Sequence, residues 1–384
     1  MTSIRLMCLE KLFSTWLYQD ALPFWSRAGV DRVRGGFHEV VGLDGLACEL
    51  PRRARVQGRQ SFTFACAGKM GWSGSWLDLA EAGITYLDRR YRAANGLYQT
   101  TVSPDGAVLN SDVMTYDQAF ALLAMAGLYD VCRDREDIKL FARALMYRLC
   151  KERRNPGGGF WEFGDKRYLS NPQMHIFEAV VAWSDIDQDA IWVETANEIA
   201  DLAAGRFIDP THGVLFEIFD ENWTAVPSGS GSSTVEPGHQ YEWAWLLKRW
   251  SLKTGRAEYQ AAAEVLLKAG QRGIDPNRNV AIDEVDREFK PLRTTARLWP
   301  QTERLKAVAL FLECAEKSTF SHYENEVVLA AESLWRYLDV PLKGFWRDKM
   351  RVDGSFVDEP APASSFYHII LAVQALTSAA SKAD

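Results

Sequence analysis

A short phrase recurs six times along the chain, and no other feature restricts the fold as strongly. It reads GGFHEV from Gly35, NGLYQT from Asn95, GGGFWEF from Gly157, HGVLFEIF from His212, NVAIDEV from Asn279 and KGFWRD from Lys343. The interval is roughly 55 to 65 residues, a period that marks repeated supersecondary units. Each phrase sets Gly or Asn ahead of apolar and aromatic residues in alternation, the pattern of a short strand or hairpin opened by a turn. The stretches between phrases carry helix-period apolar patterns with room for two helices each. Helices are predicted near 5–28, 57–71, 75–92, 114–132, 135–152, 171–185, 188–207, 237–254, 257–273, 299–316, 321–338 and 364–381.

Alternate members of this series differ in kind. AFALLAMAGLYDV from Ala119 and FYHIILAVQAL from Phe366 are nearly apolar throughout, whereas KLFARALMYRLCKERR from Lys139 keeps a charged face. The first kind must be buried and the second must wrap around it. Two concentric rings of six helices satisfy both demands with one core, so the predicted fold is all-α, an (α/α)6 barrel forming a single domain over residues 1–384, with short hairpins at one end. An open α-solenoid is the alternative. It would need polar capping helices at both ends, and FYHIILAVQALTSAA is too apolar for that. The GSGSS run from Gly229 is expected to be a mobile loop over a cleft.

Composition narrows the function. With 384 residues, 47% hydrophobic and 25% charged, the chain suits a soluble globular protein. Its net charge of −7, with Lys and Arg dispersed, supplies no stripe to neutralise a phosphate backbone, which argues against a nucleic-acid partner. The six cysteines lie far apart without a CxxC pair and are expected to be reduced core thiols. Arg5, Glu10, Lys11 and Asp20 interrupt the N-terminal apolar positions, as in an amphipathic helix and unlike a signal peptide. With no apolar run of spanning length, the expectation is a cytoplasmic protein off the membrane, monomer or homodimer.

Of six histidines, three belong to predicted inner helices. His239 follows Pro237 and Gly238 in EPGHQYEWAWLL, a helix N-terminus facing the barrel mouth. Glu242, three residues on, is expected to hold one of its ring nitrogens. His175 shares a helix face with Asn171 and Glu178 in NPQMHIFEA. His368 occupies the last inner helix. A lone histidine on an apolar helix is ordinarily a satisfied core residue, but three on inner helices of a closed ring converge on one axis, where imidazoles suit proton transfer. Zinc binding is the other reading, although the spacing matches no ligand signature. Arg59, between Gln57 and Gln60, offers a fixed charge for an oxyanion or enolate. Tyr116 with Gln118, and Trp299 with Glu303, open two further inner helices with polar–aromatic pairs that could bind a pyranose. His38 could contribute to the rim, while His212 and His322 suit solvated surface.

These residues together resemble the N-acylglucosamine 2-epimerase family, on RVQGRQ at Arg59, TYDQAF at Tyr116, NPQMHIFEA at His175, EPGHQYEWAWL at His239, LWPQTE at Trp299 and YHIILAVQAL at His368. The resemblance implies cofactor- and metal-independent chemistry on a free aldose, by proton transfer at C2 through a cis-enediol or enediolate. It implies His239 and His368 as the acid/base pair, Arg59 at the enolate oxygen, His175 as a third imidazole on the substrate and Glu242 as the carboxylate orienting His239. His at position 175 resembles the aldose–ketose isomerases and disaccharide epimerases of the family rather than its acetylglucosamine epimerases. Leu298 precedes Trp299 where many relatives pair two tryptophans, which weakens a disaccharide. The expectation is therefore a mannose/fructose-type isomerase, with a sugar 2-epimerase as the alternative. From other classes, an (α/α)6 glycoside hydrolase would need a carboxylate pair such as Asp117 and Glu303, and a non-catalytic sugar-binding protein would leave its ligand unchanged.

Overall fold

The repeats turn on backbone that few side chains accept. Gly36, Gly96, Gly159, Gly213, Asn279 and Gly344 all have positive φ, from 54° at Asn279 to 84° at Gly96. This is the left-handed region that glycine enters freely and asparagine tolerates. The recurring Gly or Asn is therefore the pivot between an outer helix and the loop that returns to the inner ring.

The computed structural model describes residues 2–164, 167–226 and 234–383. Helix α1 runs from Thr2–Thr15 through a π-helical turn at Trp16–Ala21 into Leu22–Ala28. It is followed by α2 (Ala54–Lys69), α3 (Trp76–Tyr91), α4 (Thr115–Val131), α5 (Glu136–Arg153), α6 (Ser170–Ser184), α7 (Ala190–Leu202), α8 (Pro237–Thr254), α9 (Ala257–Arg272), α10 (Leu298–Glu313), α11 (Lys317–Leu338) and α12 (Ser365–Ala383). With α1 counted as one rod, the described residues hold the twelve helices that the sequence pattern predicts. A second π-helical turn, Ala203–Phe207, extends α7.

The even-numbered helices form the inner ring. Each packs on the next, and α12 packs back on α2. The fold is an (α/α)6 barrel, and its closure overturns the open solenoid. Inner α4 is buried from Asp117 through Ala126, while outer α5 buries only Ile138, Ala142, Leu145, Met146 and Leu149, at the three- and four-residue spacing of one helix face.

Two-residue strands complete the ring. Arg52–Arg53, ahead of α2, pairs with Thr101–Val102; Tyr168–Leu169 with Ile218–Phe219; Thr234–Val235 with part of Glu284–Asp286; and Ala296–Arg297 with Lys349–Met350. Ala361–Pro362, ahead of α12, pairs with Val40–Val41 and so joins the last repeat to the first. The pairing thus links one loop to the next around the ring. Within repeats, the described residues form four short hairpins, at Thr101–Asn110, Ile208–Leu215, Ile274–Ala281 and Glu284–Arg293, and single bridges such as Val30 with Phe37.

Five inner helices grip the preceding loop through a glutamine. The side-chain amides of Gln57, Gln118, Gln173, Gln240 and Gln301 each accept from the N–H and donate to the carbonyl of one loop residue: Phe37, Tyr98, Phe160, Leu215 and Ala281. These buried bonds, each worth about 0.5–1.5 kcal/mol, set the loops at the N-terminal ends of the inner helices.

All six cysteines are free, but only Cys66 is buried, with Cys8 and Cys314 exposed; the expectation of core thiols fails for most of them, because they fall on outer-helix faces and rims. The GSGSS run lies outside the described residues. No described helix is long and apolar enough to cross a membrane.

Candidate active site

The inner helices are in register. Ala54, Ser170, Leu298 and Ala363 donate their N–H groups to the loop carbonyls of Thr100, Glu217, Asp348 and Glu39, which marks equivalent starting points. The sixth residue from each start is Arg59, His175, Glu303 or His368. Counted from the first residues of α4 and α8, the same position holds Phe120 and Glu242. Five of these six side chains are polar or charged, and all five are buried, in a layer that an apolar core would fill with hydrocarbon. Burying so many ionisable groups is costly unless each finds a partner or a ligand.

A cavity of about 230 Å³ opens at this layer, at the N-terminal ends of the inner helices. It is lined by Arg59, Tyr116, Asn171, His175, Glu236, His239, Glu242, Arg297, Trp299 and His368. Trp299 stands between two of the imidazoles, its ring centroid 5.0 Å from that of His239 and 6.0 Å from that of His368. Gly238 makes this placement possible, since a Cβ there would come within 2.5 Å of the indole.

Each histidine turns Nδ1 to a carboxylate and so leaves Nε2 available. His368 Nδ1 lies 2.8 Å from Glu303 Oε1, His239 Nδ1 lies 2.9 Å from Glu217 Oε2, and His175 Nδ1 lies 3.2 Å from Glu178 Oε2. This corrects the sequence expectation for Glu242, which makes no hydrogen bond to His239. Shared-face spacing cannot foresee the outcome, because His239 sits in the first helical turn and directs its ring to the loop that carries Glu217. Glu242 Oε1 instead lies 3.9 Å from His175 Nδ1.

The environments drive the histidines apart. Burial would depress His239, but the charges of Glu217 and Glu236 outweigh it and raise its pKa to about 10. Burial lowers His368 well below its ordinary value, and the positive charges of Arg59 and Lys306 act in the same direction. His175 falls to about 4 through burial, against the pull of Glu178. Glu242 rises well above the ordinary carboxylate value through burial and the neighbouring Glu303 charge. The surroundings thus favour a cationic imidazole on one side of the cavity and a neutral one on the other, the kind of separation that acid–base chemistry needs.

Several buried polar atoms here lack a hydrogen-bond partner among the described residues: Arg59 Nε, Asn171 Oδ1, Glu217 Oε1 and Glu242 Oε1. Arg59 Nη2 donates to the Tyr116 hydroxyl at 2.8 Å, and the guanidinium lies over the Phe120 ring at 4.1 Å. Unmet donors and acceptors in a small polar cavity suit a polyhydroxylated ligand. Glu217, Glu236 and His239, and likewise Glu242, Glu303 and His368, bring potential metal-ligand atoms within 4.8 Å of one another.

Other expected residues fall elsewhere. Glu178 and Glu303 stand behind His175 and His368 and do not line the cavity. Gln118 is committed to the backbone of Tyr98 and Met114, which corrects its assignment as a sugar contact. Asp117 is held by the backbone and side chain of Arg55 away from the cavity, so the carboxylate pair imagined for a glycosidase does not assemble. Buried His38 lies off the cavity, His212 is held by Asp209, and His322 packs beside Tyr323 on outer helix α11. Sequence reasoning missed Glu236 and Arg297, which directly precede α8 and α10, together with Glu217 and Lys306. The position before each inner helix was a usable signal for the first two.

The sequence profile of the N-acylglucosamine 2-epimerase (GlcNAc 2-epimerase) family matches residues 35–372. The chain is 42% identical over 368 residues to the mannose-6-phosphate isomerase of Rhizobium meliloti (strain 1021), covering 94% of this chain and 95% of that one. It is 24% identical over 314 residues to the D-mannose isomerase of Thermobifida fusca, covering 74% and 75%. Its fold matches a crystal structure of D-mannose isomerase with TM-score 0.84 at 19% identity, over 97% of both chains. It also matches the cellobiose 2-epimerase of Bacillus thermoamylovorans B4167 with TM-score 0.85 at 17% identity, over 96% and 98%.

Proposed function

Because the chain belongs to the N-acylglucosamine 2-epimerase family, and is therefore a sugar isomerase or epimerase, we propose that it interconverts a free aldose and its ketose, of the mannose and fructose type. The observation that carries this is the pair of imidazoles, one neutral and one cationic, on a single cavity of about 230 Å³. That volume is below the roughly 300–1,000 Å³ of pockets for drug-sized ligands, which favours a monosaccharide over a disaccharide. His175, in the family pattern of isomerases and disaccharide epimerases, then favours isomerisation.

In this mechanism His368 Nε2 takes the proton from C2 of the open-chain aldose. The C–H electrons form the C1–C2 double bond, and the carbonyl electrons move to O1, which receives a proton from the His239 imidazolium. Arg59 stabilises the developing enediolate oxygen through its unpartnered Nε. His239, now neutral, takes the O2 proton as His368 returns its own to C1. Ketose is released with both histidines in their starting states.

A free hexose is proposed rather than its 6-phosphate. Arg297 donates from Nε to Asp283 and from Nη2 to Glu236, each at 3.0 Å, and the carboxyls of Glu236 and Glu242 share the lining with it. The relative named for mannose 6-phosphate makes that sugar the necessary comparison. Mannose, fructose, glucose and mannose 6-phosphate, incubated with the protein and EDTA and followed by NMR, test the substrate and the absence of a metal requirement. Mannose deuterated at C2 should deliver part of its label to C1 of fructose. Solvent hydrogen returned to C2 with inversion would favour the 2-epimerase, and loss of turnover in EDTA would contradict metal-free chemistry.

A further inference from the structure

Behind His368 lies a charged group that never meets the cavity. Lys306 on α10 is fully buried. Its Nζ is 2.7 Å from Glu303 Oε2, while the opposite oxygen of the same carboxylate holds His368 Nδ1 at 2.8 Å. The two groups form a short ion pair with no exposure to solvent. The ammonium also lies 4.2 Å from the centroid of the Trp245 ring, a favourable site for a buried cation.

The surroundings carry charges of both signs. Glu178 and His175 face this group from α6, Glu242 and His239 from α8, Tyr367 and His368 from α12, and Arg59 from α2. Tyr367 donates to Glu178. Lys306 is thus the cation in contact with the carboxylate that orients the base, and proton transfer at C2 does not use it directly.

We propose that Lys306 is a positioning residue, whose charge keeps Glu303 ionised so that His368 carries its proton on Nδ1 and presents Nε2 as a free acceptor to the sugar. The inference rests on His368 acting as base. Without the ammonium, Glu303 would hold a proton to higher pH, because burial already favours its neutral form. A protonated Glu303 donates to Nδ1, which transfers the ring hydrogen to Nε2 and removes the acceptor. The effect is a tautomer switch made by a group that touches neither sugar nor imidazole.

Lys306→Met retains the length of the side chain and deletes its charge. Its acid limb of kcat/KM should move up by about 1 to 3 pH units, with kcat at pH 7 reduced at least tenfold, recovery toward pH 9 and little change in KM. In Lys306→Met/Glu303→Gln the amide cannot titrate, so that displaced limb should disappear while overall activity stays low. A Lys306→Met profile that keeps the wild-type limb overturns the proposal. Should the single variant fail to fold, the 15N shifts of His368 in the unmodified protein decide. Protonated Nδ1 with bare Nε2 supports the relay, and the reverse tautomer refutes it. That spectrum requires no turnover, whereas absence of isotope exchange in the wild type would count against the functional assignment alone.

Discussion

His239 and His368 look out on the same cavity from either side of Trp299, and each hands Nδ1 to a glutamate, yet their surroundings push them in opposite directions. The difference lies behind the carboxylates. Glu217, on the His239 side, accepts, among the described residues, from the neutral Ser170 hydroxyl besides the imidazole, and its charge raises the ring's pKa. Glu303, on the His368 side, is met by Lys306, and the positive charge of Arg59 adds to the penalty on a cationic imidazole. The same histidine–glutamate pair therefore favours a cationic or a neutral ring according to whether the carboxylate is already neutralised.

The largest effect should come from removing either ring. His368→Ala and His239→Ala should each lower kcat by roughly 10²- to 10⁴-fold while circular dichroism stays unchanged. Only His239→Ala should retain slow loss of C2 deuterium from labelled mannose, since its base is intact. Equal loss of exchange in both variants would break the comparison.

Next comes Glu217→Gln, which removes the charge sustaining His239. The acid form of His239 is present below its pKa of about 10 and is lost as pH rises through that value. The variant should bring the alkaline fall in kcat/KM down by about 1 to 3 pH units, and an unmoved limb would show that Glu236 alone suffices. Trp299→Ala is expected to act mainly on KM, by the about 0.5–1.5 kcal/mol of one aromatic contact, that is, up to about tenfold; a fall in kcat alone would mean that the indole spaces the histidines instead. The smallest catalytic effect belongs to Gln118→Ala. It should cost about 1–3 kcal/mol of stability, because the N–H and carbonyl of Tyr98 lose their buried partner, and it should leave KM near wild type below its lowered melting temperature.

Much of this is legible in the sequence alone. Gly and Asn pivots announced six units, and the contrast between apolar and one-faced helices announced two rings, because both follow from local backbone preference and burial. The histidines stood out for the same reason, as polar residues on helices that had to be inner. What stayed hidden depends on approach across the ring. Glu217 is twenty-two residues upstream of His239 and on a loop, so helical spacing pointed to Glu242 instead. Lys306 is one charge among three in LWPQTERLKAVALF, and only its place on an inner helix, which has no solvated face to receive it, sets it apart. Gln118 was assigned to the sugar because one helix was read alone. Set beside Gln57, Gln173, Gln240 and Gln301, it falls at the fourth position of its helix, the position that clamps the loop.

The measurement closest to the central claim is an NMR titration of the histidine rings in the resting protein, assigned with the two alanine variants. Between pH 5.5 and 8.5, chosen to bracket an ordinary imidazole pKa of about 6.5, His239 should remain a cation and His368 should remain neutral. Two rings that titrate together near that ordinary value would contradict the account.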